Sequence, residues 1–200
     1  MQQNAICFFS NHLPEDFLRR NSAIFPEPPE HCPFKDCSMP VEMKKHGLYS
    51  RNYISKKCTI VLYLRRYICP VCGRTVSMLP SFCLQHFQYS CPDIVNMLYE
   101  LYKNGIPLKT YVESIREYFP AIERRHINYY RKRIVNNRKF IQYGLNLMSP
   151  KLTVLGKTSE NQAWVKDLLE KVWEIQPSIF HFDFYNNTGK SFMTMQNIVA

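Results

Sequence analysis

The chain has 200 residues, of which 46% are hydrophobic, enough for one medium domain or two small packed ones and too apolar for wholesale disorder. A formal net charge of +10 points toward polyanionic partners and away from basic ones. No stretch approaches the roughly 20 apolar residues of a membrane span. The opening Met1-Gln2-Gln3-Asn4 lacks a basic segment, and Ile6-Cys7-Phe8-Phe9 is too short for a signal-peptide core. The expectation is a cytoplasmic protein with no membrane partner and reduced cysteines.

In chain order, residues 1–30 read as a leader and linker. Pro14-Glu15-Asp16 opens a short helix, with proline and acids where a helix start favours them, and Pro26-Glu27-Pro28-Pro29-Glu30 forms a stiff extended connection. Residues 31–80 carry two cysteine pairs, Cys32-Pro33-Phe34-Lys35-Asp36-Cys37 and Cys69-Pro70-Val71-Cys72-Gly73. Two short loops that each present two thiolates close a tetrahedral site, so Cys32, Cys37, Cys69 and Cys72 are expected to hold one structural Zn2+. Between them, Glu42 to Tyr53 is expected to form a hairpin turning at His46-Gly47. Cys58 to Leu64 reads as a strand, with Thr75 to Leu79 returning as the last strand of a zinc ribbon. Cys7, Cys58, Cys83 and Cys91 are left as spare thiols.

From Pro92 the apolar period lengthens to that of a helix. Residues 92–148 are expected to form a helix-turn-helix domain. A first helix spans Pro92 to Asn104 with Gly105 as its stop, a second spans Pro107 to about Tyr118, and a third starts near Ala121. An alternative is a third helix running unbroken to Met148. Residues 157–200 form a tail. Ser159-Glu160-Asn161-Gln162 reads as a capping box, Val165 to Trp173 as an amphipathic helix, and alternating Phe180, Phe182 and Phe184 as a strand. Ser191 to Met195 is expected to pair back as a hairpin. The fold class is α+β.

Charge is segregated along this order. No Asp or Glu lies between Met43 and Pro92, a segment that holds Lys44, Lys45, Arg51, Lys57, Arg65 and Arg66. A second acid-free run from Arg124 to Ser159 holds Arg124, Arg125, Arg131, Lys132 and Arg133. Such segments are the footprint of a polyanion binder, and on a helix-turn-helix the expected partner is double-stranded DNA. The first set is expected to contact phosphates. On the third helix Arg124, Arg125 and Asn128 are the candidates to read bases, with Arg131, Lys132 and Arg133 behind them.

Catalytic patterns are incomplete. Thr188-Gly189-Lys190-Ser191 resembles the end of a phosphate-binding loop, but Phe184 stands where that loop needs glycine. Asp183 has no second or third carboxylate after it to build a two-metal centre. The chain is expected to be non-enzymatic.

The first cysteine pair, Lys45-His46-Gly47-Leu48-Tyr49-Ser50-Arg51 and Arg66-Tyr67-x-Cys69-Pro-x-Cys72-Gly-x-Thr75-x-Ser77-x-Leu79-Pro80 together resemble the zinc-ribbon front end of bacterial insertion-sequence transposases. The pattern is similar to small zinc-ribbon plus helix-turn-helix proteins of mobile elements, over about Cys32 to Phe140. The resemblance implies a non-catalytic component of transposition that recognises element ends alongside a separate catalytic transposase subunit. In those transposases a catalytic domain with three acids follows, and this chain is expected to end before one. The alternatives are a transcription regulator built from the same modules and a protein-interaction adaptor.

Overall fold

A computed structural model of the chain describes residues 4–19, 23–37, 39–149 and 161–194, and within them it is a mixed α+β fold. Four strands form one sheet: β1 (Asn4–Phe8), β2 (Lys44–Ile54), β3 (Thr59–Ile68) and β4 (Thr75–Pro80), in the order β1-β4-β3-β2. A 3-10 turn covers Pro14–Leu18. Six helices follow: α1 (Cys91–Asn104), α2 (Leu108–Ser114), α3 (Arg124–Asn136), α4 (Arg138–Met148), α5 (Asn161–Ile175) and α6 (Pro177–Thr188).

Two corrections to the strand expectations stand out. Glu42 to Tyr53 is no hairpin: β2 runs straight through His46-Gly47 and pairs antiparallel with β3 along its length. Gly47, at φ 125, sits where the register slips between Lys45 and Gly47, so the glycine marks a bulge instead of a turn. The leader also contributes a strand. Asn4–Phe8 lies parallel to β4, with Asn4 opposite Val76 and Phe8 opposite Pro80.

The helices start and stop as their residues dictate. Ser90 caps α1 by accepting from the Asp93 backbone N–H at 3.0 Å, and Gly105 ends it in the left-handed region at φ 60. The alternative of one long third helix is corrected by a break at Asn137. This residue is buried, and its side-chain amide donates to the carbonyls of Phe192 (2.8 Å) and Thr194 (2.7 Å). The segment between α2 and α3, residues 115–123, is longer than the three- or four-residue turn of a standard helix-turn-helix.

The tail hairpin is corrected to a helix. α6 starts with Pro177 at its first turn and ends on Gly189 at φ 70. Its aromatic residues alternate because both sides of the helix are covered. Phe180 and Phe184 pack on Phe192, while Phe182 meets Phe9 with ring centres 5.6 Å apart. A helix covered on opposite sides loses the single apolar stripe by which helices are recognised. Residues 191–194 form a turn (Thr194 N–H to Ser191 O, 2.9 Å), so no hairpin forms over the described part of Ser191 to Met195. The expected capping box at Ser159-Glu160 lies outside the described residues.

Two cores result. One lies on the sheet and includes Phe17, Phe25, Met43, Leu62, Leu64, Tyr67 and Val76. The other runs from Leu84 to Met193 and unites α1 to α6, so α5 and α6 share the interior of α1 to α4. The cores meet at the segment 80–90, which leaves β4 and enters α1.

Candidate metal centre and basic surface

The β3–β4 hairpin carries the second cysteine pair in its loop. Ile68 pairs with Thr75, and the Cys69 N–H donates to the Arg74 carbonyl at 2.9 Å, which extends the ladder by one rung. Inside the loop Gly73 takes φ 68 and donates its N–H to the Cys69 carbonyl at 2.9 Å. The Cys72 N–H points at the Cys69 sulfur, 3.5 Å away. The first pair closes in the same manner, with the Cys37 N–H on the Phe34 carbonyl at 2.8 Å.

The two loops bring all four sulfurs together. Cys32 Sγ lies 3.7 Å from Cys72 Sγ and Cys37 Sγ lies 3.9 Å from Cys69 Sγ, and all four are within 4.8 Å of one another. Four thiolates around a tetrahedral ion with bonds of about 2.3 Å sit about 3.8 Å apart, whereas a disulfide needs about 2.05 Å. The spacing therefore fits a metal ion, and the cysteines are free thiols. Cys32 and Cys69 are buried, which keeps water from the centre. Among the described residues no other group of three or more metal-capable side chains comes together.

Arg74 joins the two loops, a role its place in a basic run gave no sign of. Its guanidinium stacks over the Phe34 ring at 4.1 Å, reaches Asp36 at 2.7 Å, and donates from Nε to Cys72 Sγ at 3.5 Å. The hydrogen bond from Arg74 is the first cause that lowers the Cys72 thiol to about 6, and its backbone adds to the effect. Burial raises Cys32 to about 12. Cys72 is thus biased toward thiolate and Cys32 toward thiol, and a bound cation displaces the protons that remain.

The basic residues fall into several settings. Lys44 and Lys45 are exposed at the metal-site end of β2, and Lys57 is exposed in the turn at its other end. Eleven residues of strand separate those ends by roughly 30 Å or more, so the three lysines form no single cluster. Arg65 and Arg66 are half-buried, their Nε atoms lack a hydrogen-bond partner, and Arg66 lies over Tyr49 at 4.8 Å. Arg51 is committed inward, donating to the carbonyls of Leu84 and Phe87.

On α3, burial of Ile127, Tyr130 and Ile134 turns Arg125 and Lys132 outward, with Arg124 and Asn128 beside them and exposed. Arg125 pairs with Glu123 at 3.0 Å. Arg131 lies over Tyr102 at 5.5 Å, and Arg133 over Tyr129 at 4.9 Å.

Sequence spacing gave no hint of where the two runs meet. Phe87 packs at a tilt against Tyr129 (5.7 Å) and Tyr130 (5.6 Å) of α3, while its carbonyl accepts from Arg51 of β2. Its neighbour His86 is exposed, and its imidazole pKa is lowered by partial desolvation first, then by the charges of Arg51 and Arg133. One residue from each acid-free run is therefore close enough to act on the same imidazole. Backbone bonds from Ile54 N–H to the Gln88 carbonyl and from Ser90 N–H to the Ile54 carbonyl (2.9 Å each), together with the Arg51 guanidinium, set this loop against β2 across the fold.

Asp183 lies on α6 and not on a strand. His181, on the same helix, is buried against the Ser81 carbonyl at 2.9 Å, and Cys7, Cys83 and Cys91 are buried thiols. No helix among the described residues is long and apolar enough to cross a membrane. No protein-family model, curated protein or solved structure matches the chain.

Proposed function

We propose that this is a DNA-binding protein in which one structural Zn2+ holds the Cys32, Cys37, Cys69 and Cys72 centre, and a cationic surface made by the sheet and α3 engages double-stranded DNA. The observation that carries the reading is the convergence of two separate acid-free segments on the loop at His86 and Phe87. Cationic side chains spread over that surface neutralise phosphates and release counterions, a salt-dependent source of affinity that needs no particular base sequence.

Sequence preference falls to α3. Its outward Arg125, with Arg124 and Asn128 flanking it, offers the donors and acceptors that distinguish base edges, while Lys132 serves a phosphate. In this reading α3 is the recognition helix of a helix-turn-helix with a lengthened turn, and the metal site is the base of a zinc ribbon. Arg51, spent on two backbone carbonyls, is a scaffold residue and not a DNA contact. The resemblance to transposase front ends narrows the role to recognition of mobile-element ends beside a separate catalytic subunit.

The test is to sequence the DNA retained by zinc-loaded protein from fragmented genomic DNA at moderate salt. Enrichment of repeat-flanked element ends supports the transposition role, and enrichment of promoters replaces it with transcription regulation. Retention without enrichment, lost on raising the salt, leaves the charge non-specific and makes a protein-interaction adaptor the better account.

A further inference from the structure

Between the sheet and the 84–88 loop lies a cleft of about 250 Å³, smaller than the usual site for a drug-sized ligand and suited to a single ring system. Its polar lining is Asn52, Gln85, Gln88, Ser77, Arg51 and His86, with the Tyr49 ring on one side and no carboxylate anywhere in it. Side-chain amides, a hydroxyl and an imidazole offer donors and acceptors together, the pattern that complements the edge of a nucleobase.

The loop that forms the rim is held rigidly. The Phe87 N–H closes a turn on the Leu84 carbonyl at 3.2 Å, Arg51 donates to both the Leu84 and Phe87 carbonyls, and Ile54 N–H anchors Gln88 at 2.9 Å. Within this turn His86 occupies the third position at φ 68, a conformation that suits glycine and disfavours a branched or bulky side chain. Glycine would serve the turn with less strain than histidine, and nothing in the turn itself requires an imidazole. Strain at a cleft lined by convergent polar groups marks a side chain held for a ligand. The same rim carries Phe87, which packs on the aromatic residues of α3, so a ligand in the cleft lies beside the surface proposed above for DNA.

We propose that this cleft receives one unstacked nucleobase of a bound DNA chain, with Tyr49 against its face and Gln88 and His86 on its edge. The inference rests on the DNA-binding reading and deepens it: the protein prefers DNA in which one base is already free of the stack. Removing a base from a paired duplex opposes binding, whereas an unpaired nucleotide supplies it without that opposition.

The experiment compares a short paired duplex with the same duplex carrying one unpaired 2-aminopurine, at fixed salt, using zinc-loaded protein. The expected result is about tenfold tighter binding of the bulged duplex, together with a change in 2-aminopurine emission as the base leaves the stack and enters the cleft. His86→Gly should keep or raise the melting temperature, since glycine accepts the backbone conformation, yet abolish the preference. Gln88→Ala should reduce the preference while leaving the paired duplex bound as before. Equal affinity for both duplexes with unchanged emission overturns the inference and leaves the DNA-binding reading standing. Failure to bind either duplex overturns both. A His86→Gly protein that is stable and retains the full preference also overturns it, because the cleft would then have no need of the imidazole.

Discussion

His181 on α6 and Ser81 on the segment leaving β4 are joined by a 2.9 Å hydrogen bond in which the imidazole Nδ1–H donates to the carbonyl oxygen, both residues being buried. Cys7 Sγ of β1 lies 3.9 Å from the same nitrogen. One neutral ring thus ties the last described helix to the sheet, where a charged ring would have no counter-ion.

Burial lowers the His181 pKa from 6.5 to about 4, so acid should weaken the fold through this residue. The unfolded chain binds a proton between those values and the folded chain does not, so stability falls as pH drops through that window and is unaffected above it. The loss amounts to about 3 kcal/mol when complete. Urea unfolding from pH 7 to pH 4 should show a steeper decline for the native chain than for His181→Gln, and parallel curves would remove His181 from the acid response.

Metal analysis should find one zinc per chain. Cys69→Ser and Cys32→Ser should each reduce bound zinc to well below one equivalent and lower the melting temperature, because metal binding and folding of the loops are coupled. Cys7→Ser and Cys58→Ser should leave the zinc content at one. A full equivalent retained by Cys69→Ser would place the ion elsewhere.

Arg74→Ala should weaken zinc binding about 10- to 100-fold in a chelator competition, the range typical of groups that orient metal ligands. The exposed Arg74–Asp36 pair by itself stabilises little. Most of the effect therefore follows from the lost stacking on Phe34 and the lost bond to Cys72. Arg74→Lys should recover only part of the affinity, since an ammonium cannot stack, reach Asp36 and bond sulfur at once. Equal affinity in all three proteins would reduce Arg74 to a surface cation.

Gly144→Ala should lower stability despite the better helix propensity of alanine. A Cβ at that position of α4 would run into the ring of Phe184 on α6. Overpacking of about 1–3 kcal/mol exceeds the gain of about 1 kcal/mol from replacing a helical glycine. Thermal melts of Gly144→Ala with and without Phe184→Leu should show partial recovery in the double variant. A Gly144→Ala protein at least as stable as the parent would mean that α4 and α6 move apart freely.

The chemistry of the metal loops was legible because ligand spacing is local: two cysteines within a few residues constrain the turn between them. α1 was equally readable, since Pro92 and Gly105 punctuate a clear apolar stripe, though its Ser90 cap was not read. What escaped depends on partners far along the chain. Asn4–Phe8 is too short to announce a strand, and its partner is β4. α6 hides its period because Phe182 and Phe180 face different neighbours. The basic candidates were named without knowledge of which were already committed. Arg51 is spent on carbonyls of a loop whose approach no spacing encodes, and His86 gains significance only from a backbone angle.

The parallel pairing of β1 with β4 has a consequence for biosynthesis. A ribosome releases Asn4–Phe8 well before Thr75–Pro80 exists, and the Ala5 carbonyl finally accepts from the Tyr185 hydroxyl of α6 at 2.8 Å. β1 waits unpaired until Thr75–Pro80 has emerged, and it gains the Tyr185 bond only after α6 has been made. A nascent chain stalled before Tyr185 would leave β1 without that last anchor, and the sheet edge beside it would be the natural place for chaperones or misassembly to act.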